Sequence, residues 1–121
     1  MTTGIKFGDG RSWLVSSSLA EAVLEQAAER LDSIDGELGW YVRSGLYAGQ
    51  VDAASLPADA RETLRRNVVD VTRALLADEG RLRSLVARPV APELERQFVE
   101  SSKRSLEELL DLAGDEPEPS T

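Results

Sequence analysis

The first apolar residues of the chain alternate with polar ones, which is the pattern of a half-buried β-strand. The alternation runs on both sides of a glycine-rich turn, Gly8-Asp9-Gly10. It therefore predicts a β-hairpin over residues 5–15, with a three-residue loop in which Gly10 takes the left-handed conformation. This register pairs Phe7 with Arg11 and Ile5 with Trp13. The apolar residues that it places on one face are Ile5, Phe7, Trp13 and Val15.

A helical repeat follows the hairpin. Its apolar residues are Ala20, Val23, Leu24, Ala27, Leu31 and Ile34. Ser18 and Glu21 have the spacing of a capping box, in which each side chain binds a free backbone N–H at the start of a helix. Gly36 is the expected end of this helix.

Residues 37–50 fit two structures. One apolar set has helical spacing, whereas an overlapping set alternates as in a strand that could extend the hairpin. The helical set is Leu38, Val42 and Leu46, and the alternating set is Leu38, Trp40 and Val42. We favour a short helix in which Gly45 and Gly49 allow close packing, and the strand remains open.

Two longer helices complete the pattern. One is predicted from Ser55, with Pro57 in its first turn, to about Glu79, with Gly80 as its stop. Its apolar stripe is Leu64, Val68, Val71 and Leu75. The link over residues 81–91 has room for a helical turn. The last helix starts at Pro92 and carries the apolar residues Leu94, Phe98, Val99, Leu106, Leu109, Leu110 and Ala113.

These elements predict a mainly α fold, in which the N-terminal hairpin packs on a bundle of three or four helices. We expect a single domain over residues 1–113. Residues 114–121 begin with Gly114, which ends the last helix, and continue with acidic residues and two prolines. That composition predicts a disordered acidic tail.

The composition of the chain limits which catalytic and metal-binding sites it can form. The 121 residues include no cysteine and no histidine, which excludes thiolate sites and removes the commonest general base and metal ligand. Two rows of carboxylates have helical spacing, Glu21/Glu25/Glu29 and Glu100/Glu107/Glu108/Asp111. Metal sites of this kind in bundles usually add histidine, so solvated helix faces are the favoured interpretation. We predict no catalytic residue, no metal site and no cofactor.

The net charge is −8. This charge opposes binding to nucleic acid or to an anionic membrane, and it favours encounter with a basic partner. The chain starts without the pattern of a secretion signal, and no apolar run approaches the roughly 20 residues that span a bilayer. We therefore expect a cytoplasmic protein.

Arginine is concentrated in one part of the chain. Residues 56–90 hold seven arginines against five acids, whereas residues 91–121 hold three basic residues against nine acids. The favoured interpretation is that the two long helices pack side by side with complementary charge. The alternative is a site for an anionic ligand, formed by Arg61, Arg65, Arg66 and Arg73.

Aromatic residues are concentrated near the start. They either fill the join between hairpin and bundle, or form an exposed binding surface, since Trp, Tyr and Arg dominate binding energies. The candidate partner-binding residues are Trp40, Tyr41, Arg43 and Tyr47. Their exposure decides between the two interpretations.

The sequence favours a non-catalytic protein that binds another protein, as an inhibitor or immunity-type module acting on a basic partner. A self-associating assembly subunit or adaptor is the alternative, with a homodimer formed through the apolar surface of residues 93–113. An enzyme using a carboxylate base is the third hypothesis. Regulation by a ligand at the arginine cluster is the fourth.

Overall fold

The computed structural model describes residues 2–8, 11–86 and 90–113. The strands in this part of the chain are β1 (Thr2–Gly8), β2 (Arg11–Ser16) and β3 (Gln50–Asp52). The α-helices are α1 (Ser17–Asp32), α2 (Gly36–Ala48), α3 (Ala58–Leu76), α4 (Glu79–Arg83) and α5 (Pro92–Ala113), and a 3₁₀ turn spans Ala53–Ser55. The predicted fold class, mainly α with a minor β part formed by an N-terminal hairpin, is confirmed, and the described residues form five α-helices where three or four were predicted.

The predicted hairpin is present and longer than expected. Ile5 lies opposite Trp13, as predicted, and both side chains are fully buried. Gly8 rather than Phe7 pairs with Arg11, and the register shifts between Lys6 and Gly8. The predicted Phe7–Arg11 pair is therefore wrong, because the strand bulges at Phe7. The loop residues Asp9 and Gly10 lie outside the described residues.

A third strand, β3, was not predicted. It pairs in parallel with β1, with Val51 beside Ile5, and gives the strand order β2-β1-β3. Only three residues long, it buries one side chain, that of Val51. So short a strand leaves no alternation to detect.

Helix α1 begins directly where β2 ends. Its N-cap residue is Ser16, whose side chain makes no capping bond. Ser18 lies within the helix rather than before it, so the predicted capping box with Glu21 is wrong. The apolar stripe of the helix is buried as predicted, apart from Ile34.

The break between α1 and α2 comes earlier than predicted. Helix α1 ends at Asp32, and Gly36 is the first residue of α2 rather than the stop of α1. Ile34 therefore lies in the link and is 63% exposed. Asp35 caps α2 by accepting a hydrogen bond from the backbone N–H of Leu38 at 3.3 Å.

The helical interpretation of residues 37–50 is confirmed as far as Ala48. Close packing was predicted at Gly45 and Gly49; it is present at Gly45, and the prediction for Gly49 is wrong. A Cβ on Gly45 would lie 2.8 Å from the Cα of Val51, so the missing side chain lets α2 pack closely on β3. Gly49 ends the helix with a φ of 96°, a left-handed conformation that glycine adopts without steric cost.

Helix α3 buries the predicted stripe of Leu64, Val68, Val71 and Leu75. It begins at Ala58, after the 3₁₀ turn, with Pro57 as its N-cap residue. It ends at Leu76, and Gly80 lies inside α4 instead of ending α3. Asp78 starts the new helix by accepting from the backbone N–H of Arg81 at 3.1 Å.

Helix α5 starts at Pro92, as predicted, and packs against α3, α4 and β2. The core includes Trp13, Leu24, Leu31, Val42, Val68, Leu75, Leu106 and Leu109. The predicted acidic tail lies outside the described residues. Among the residues that the structure describes, no helix combines the length and apolar character needed to cross a membrane.

Candidate functional site

Trp40 and Tyr47 are exposed on the outer face of α2. Trp40 is 69% exposed and Tyr47 is 95% exposed. They are seven residues apart, so they lie on one side of the helix about 10 Å apart along its axis. Leu38 and Val42 on the opposite side are buried, which fixes this orientation. Two of the four candidate residues therefore form one exposed row, which we name the aromatic face.

Tyr41 lies beside this row and has a structural contact. Its hydroxyl donates to the backbone carbonyl of Asp52 at 2.7 Å, joining α2 to the end of β3. Partial burial raises the pKa of Tyr41, and the charge of Asp52 adds to the effect. The Asp52 carboxylate accepts from the hydroxyl of Ser55 at 2.6 Å, which lowers the pKa of Asp52.

Arg43 is held by Asp32. Its guanidinium donates two hydrogen bonds to the carboxylate, at 2.9 and 2.7 Å. These bonds lower the pKa of Asp32 and raise that of Arg43, and the charges of Glu29 and Glu25 raise it further. Asp32 neutralises the guanidinium and fixes its position between α1 and α2.

A groove of about 380 Å³ runs between α1 and the C-terminal half of α2. Arg43, Leu46 and Tyr47 line one wall. Three glutamates at successive helical turns line the other wall, namely Glu21, Glu25 and Glu29. All three are exposed, and none forms an ion pair with another described residue. Because Arg43 is neutralised by Asp32, the glutamates make the groove negative.

The sequence predicted the exposure of these glutamates but not their role as the wall of a groove. Their spacing of four residues was the available signal. What it could not show was that α2 folds back beside the same face of α1.

A shallow apolar depression lies on the other side of Trp40. It has a volume of about 470 Å³ and is lined mainly by apolar residues from α2 and from the start of α3. These include Leu38, Trp40, Tyr41, Leu56, Pro57 and Ala60. The aromatic face therefore has an apolar surface near Trp40 and an acidic groove near Tyr47.

The four arginines of the predicted anion site are not brought together as one cluster. Arg65 and Arg66 both donate to the carboxylate of Glu62, at 2.6 and 3.0 Å. Asp70, also on α3, pairs with Arg30 of α1 at 3.4 Å. These ion pairs of α3 lie within that helix or reach α1, which departs from the charge pairing predicted between the two long helices.

Ion pairs instead join α4 to α5. Glu79 accepts from Lys103 at 2.7 Å, and Arg83 lies 3.6 Å from Glu95. Within the described residues, no group of three or more His, Cys, Asp or Glu side chains could hold a metal ion.

The apolar surface that suggested a homodimer is mostly covered. Val99, Leu106, Leu109 and Ala113 of α5 are buried, and Leu94 is the exposed large apolar residue of that helix, at 55%. Phe98 and Leu110 are partly buried, so part of the stripe remains accessible, and the homodimer stays a prediction.

Comparison of the chain with protein-family models, with curated proteins and with solved structures finds no match.

Proposed function

We propose that this protein is a non-catalytic binding module whose contact surface is the aromatic face of α2 together with the acidic groove beside it. The observation that carries the proposal is the exposure of Trp40 and Tyr47 on one side of a helix whose other side is buried. Single exposed apolar residues are ordinary. Two large aromatic side chains in one row, beside a groove, are a typical anchor for a protein partner.

The charge of the groove supports a basic partner. Glu21, Glu25 and Glu29 line it without ion pairs to other described residues, and the ring of Tyr47 lies at its edge. A lysine or arginine side chain in this groove would meet carboxylates on one side and an aromatic ring on the other. Both contacts favour a cation. The net charge of −8 would attract such a partner from a distance.

The negative charge of the groove argues against a second copy of this chain as the partner on the aromatic face. A symmetric dimer would place the acidic groove of one copy close to that of the other, because a two-fold contact joins the same surfaces. Like charges at an interface oppose association. We therefore propose that the partner is a different protein. Within the class of binding modules, we propose that this chain is an intracellular inhibitor or immunity-type protein that acts on a basic target.

An enzymatic role has less support from this site. The groove carboxylates are all exposed to solvent, whereas catalytic carboxylates are usually activated by burial beside other charged groups. Their arrangement suits attraction of a cation better than proton transfer.

A comparative pull-down from the native cell tests the proposal. The wild-type protein, a Trp40→Ala/Tyr47→Ala double variant and a Leu94→Ala control would be used as baits, and retained proteins quantified by mass spectrometry. Leu94 is a matched control because it is also a large exposed residue but lies on α5, away from the aromatic face. We expect a basic protein that wild type and Leu94→Ala retain and the double variant loses.

A charge variant separates the two parts of the surface. Glu21→Lys/Glu25→Lys/Glu29→Lys reverses the sign of the groove and leaves Trp40 and Tyr47 in place, and it should also lose the partner. Identical sets of proteins on all baits would contradict the proposed surface. Loss with the aromatic variant alone would show that the partner is not selected by charge.

A further inference from the structure

A third cavity, of about 200 Å³, uses no residue of the aromatic face. It is bounded by β1, the 3₁₀ turn, α3 and the end of α5. Most of its wall is apolar and includes Ile5, Phe7, Ala53, Leu64, Val68 and Leu112. The volume is several times the roughly 30 Å³ of a water molecule and lies below the range of about 300–1,000 Å³ typical of drug-sized ligands. The cavity has room for a small ligand.

The bulge in β1 is located at this cavity. The register shift between Lys6 and Gly8 leaves Phe7 without a partner on β2. Bulges change the direction of a side chain and are frequent beside functional sites. Here both Ile5 and Phe7 line the cavity, and the bulge lies at Phe7.

Three arginines also line the cavity, and two of them form no ion pair with the described residues. Arg65 donates to Glu62 and to the backbone carbonyl of Ala113 at 3.1 Å, so it binds the last carbonyl of helix α5. Arg61 makes one long contact, 3.4 Å to the carbonyl of Leu56, and Arg11 is exposed. Neither Arg61 nor Arg11 forms an ion pair with any described residue.

We propose that this cavity binds a small amphiphilic anion, a monocarboxylate with an apolar body of several carbon atoms. The carboxylate pairs with the guanidinium groups of Arg11 and Arg61, which present planar donors to carboxylates. The apolar body occupies the cavity between Phe7 and α3. Because the whole protein is acidic, a simple anion gains little here, and burial of the apolar body must supply part of the affinity.

The test is a titration of the full chain with octanoate, followed by backbone amide shifts in two-dimensional NMR. We expect saturable shifts at Phe7, Leu64 and Val68, with a dissociation constant of about 1 mM or lower. Acetate carries the charge without the apolar body, and octanol carries the apolar body without the charge. Both should bind at least about tenfold more weakly.

Variants of the two arginines measure how much their charges contribute to octanoate binding. Arg11→Gln and Arg61→Gln keep most of each side chain and remove its charge, and each should weaken octanoate binding about tenfold. Arg104→Gln is the matched control, since Arg104 is exposed on α5 and does not line the cavity. The same spectra report whether each variant is folded.

Three results would overturn the proposal. The first is the absence of saturation by octanoate in the millimolar range. The second is a set of shifts centred on Trp40 and Tyr47, which would show adsorption to the aromatic face. The third is unchanged affinity in the Arg11→Gln/Arg61→Gln double variant. None of these results would contradict the protein-binding surface of α2, so the two proposals can fail independently.

Discussion

The indole Nε1 of Trp13 donates a hydrogen bond to the backbone carbonyl of Ser105 at 2.9 Å, joining two residues 92 positions apart. Trp13 is the third of the six residues of β2, and Ser105 lies in α5. The indole ring is fully buried, so its N–H has lost contact with water and needs this acceptor. One side chain thus supplies both apolar contact and a polar link between the hairpin and the last helix.

Replacing Trp13 with Phe should destabilise the protein by about 1–3 kcal/mol. The substitution removes the hydrogen bond and part of the buried ring, and it leaves a small cavity beside α5. Trp40→Phe is the control, because Trp40 is 69% exposed, and it should change stability by at most about 0.5 kcal/mol. Urea unfolding of both variants measures the difference. Equal losses in the two variants would contradict the buried role of Trp13.

The close contact of α2 with β3 gives a second stability prediction. Gly45→Ala places a methyl group 2.8 Å from the Cα of Val51 and should cost about 1–3 kcal/mol. At Gly36 an added Cβ meets nothing within 4 Å, so Gly36→Ala should be neutral or slightly stabilising. Thermal unfolding of the two variants tests this contrast. A Gly45→Ala protein as stable as wild type would show that α2 can move away from the sheet.

The sequence predicted best the long elements, in which many apolar residues show the helical repeat. The stripe of α3, from Leu64 to Leu75, repeats over about three turns, and its burial follows from that repeat. Strand β3 has three residues and is held by parallel pairing to β1, which comes from tertiary contact. The predicted helix ends at Gly36 and Gly80 were wrong. Each glycine lies in the first turn of the following helix, a position that tolerates glycine as a helix end does.

The residue types in the sequence identified the candidate site, but they did not predict which of its side chains are exposed. Trp40, Val42 and Leu46 are close in sequence, and only the packing of α2 on α1 and β3 decides which of them faces solvent. Tyr41 was grouped with the binding residues although its hydroxyl contacts Asp52. A pattern of aromatic residues does not distinguish an anchor for a partner from a link inside the fold.

The carboxylate of Glu62 gives a prediction on pH. Hydrogen bonds from Arg65, and less strongly from Arg66, lower the pKa of Glu62 from 4.5 to about 2. A pKa lowered by folding means that these interactions stabilise the protein above pH about 4.5 and lose that effect as the pH falls toward 2. The ion pairs are half exposed, so their contribution is about 1 kcal/mol or less.

Glu62→Gln should therefore lower the melting temperature by a few degrees near neutral pH. The difference from wild type should shrink below pH 4.5 and become small near pH 2, where about half of the wild-type carboxyl groups are protonated. Glu100→Gln, at an exposed position of α5 without an ion pair among the described residues, is the control. A Glu62→Gln difference that stays constant with pH would show that the charge of Glu62 is not the cause.

The proposed binding surface divides into a long-range part and a contact part, and kinetics can separate them. Charges act before contact, so the three groove glutamates should affect mainly the rate of association. The aromatic side chains act after contact, so Trp40 and Tyr47 should affect mainly the rate of dissociation. Both rates can be measured by surface plasmon resonance, with the partner recovered in the pull-down held on the surface.

Raising the salt concentration from about 0.1 M to about 1 M shortens the electrostatic screening length from about 10 Å to about 3 Å. This shorter range should slow association of the wild-type protein with its partner. A Glu21→Gln/Glu25→Gln/Glu29→Gln variant should associate slowly at both salt concentrations, because its groove no longer attracts a cation. Trp40→Ala should retain the salt dependence of the wild type and dissociate at least about tenfold faster, as expected for an aromatic anchor. Since Trp40 is 69% exposed, its removal should not unfold the protein, which circular dichroism can check. Association that does not respond to salt would contradict a role for the groove, and an unchanged dissociation rate in Trp40→Ala would contradict the aromatic anchor.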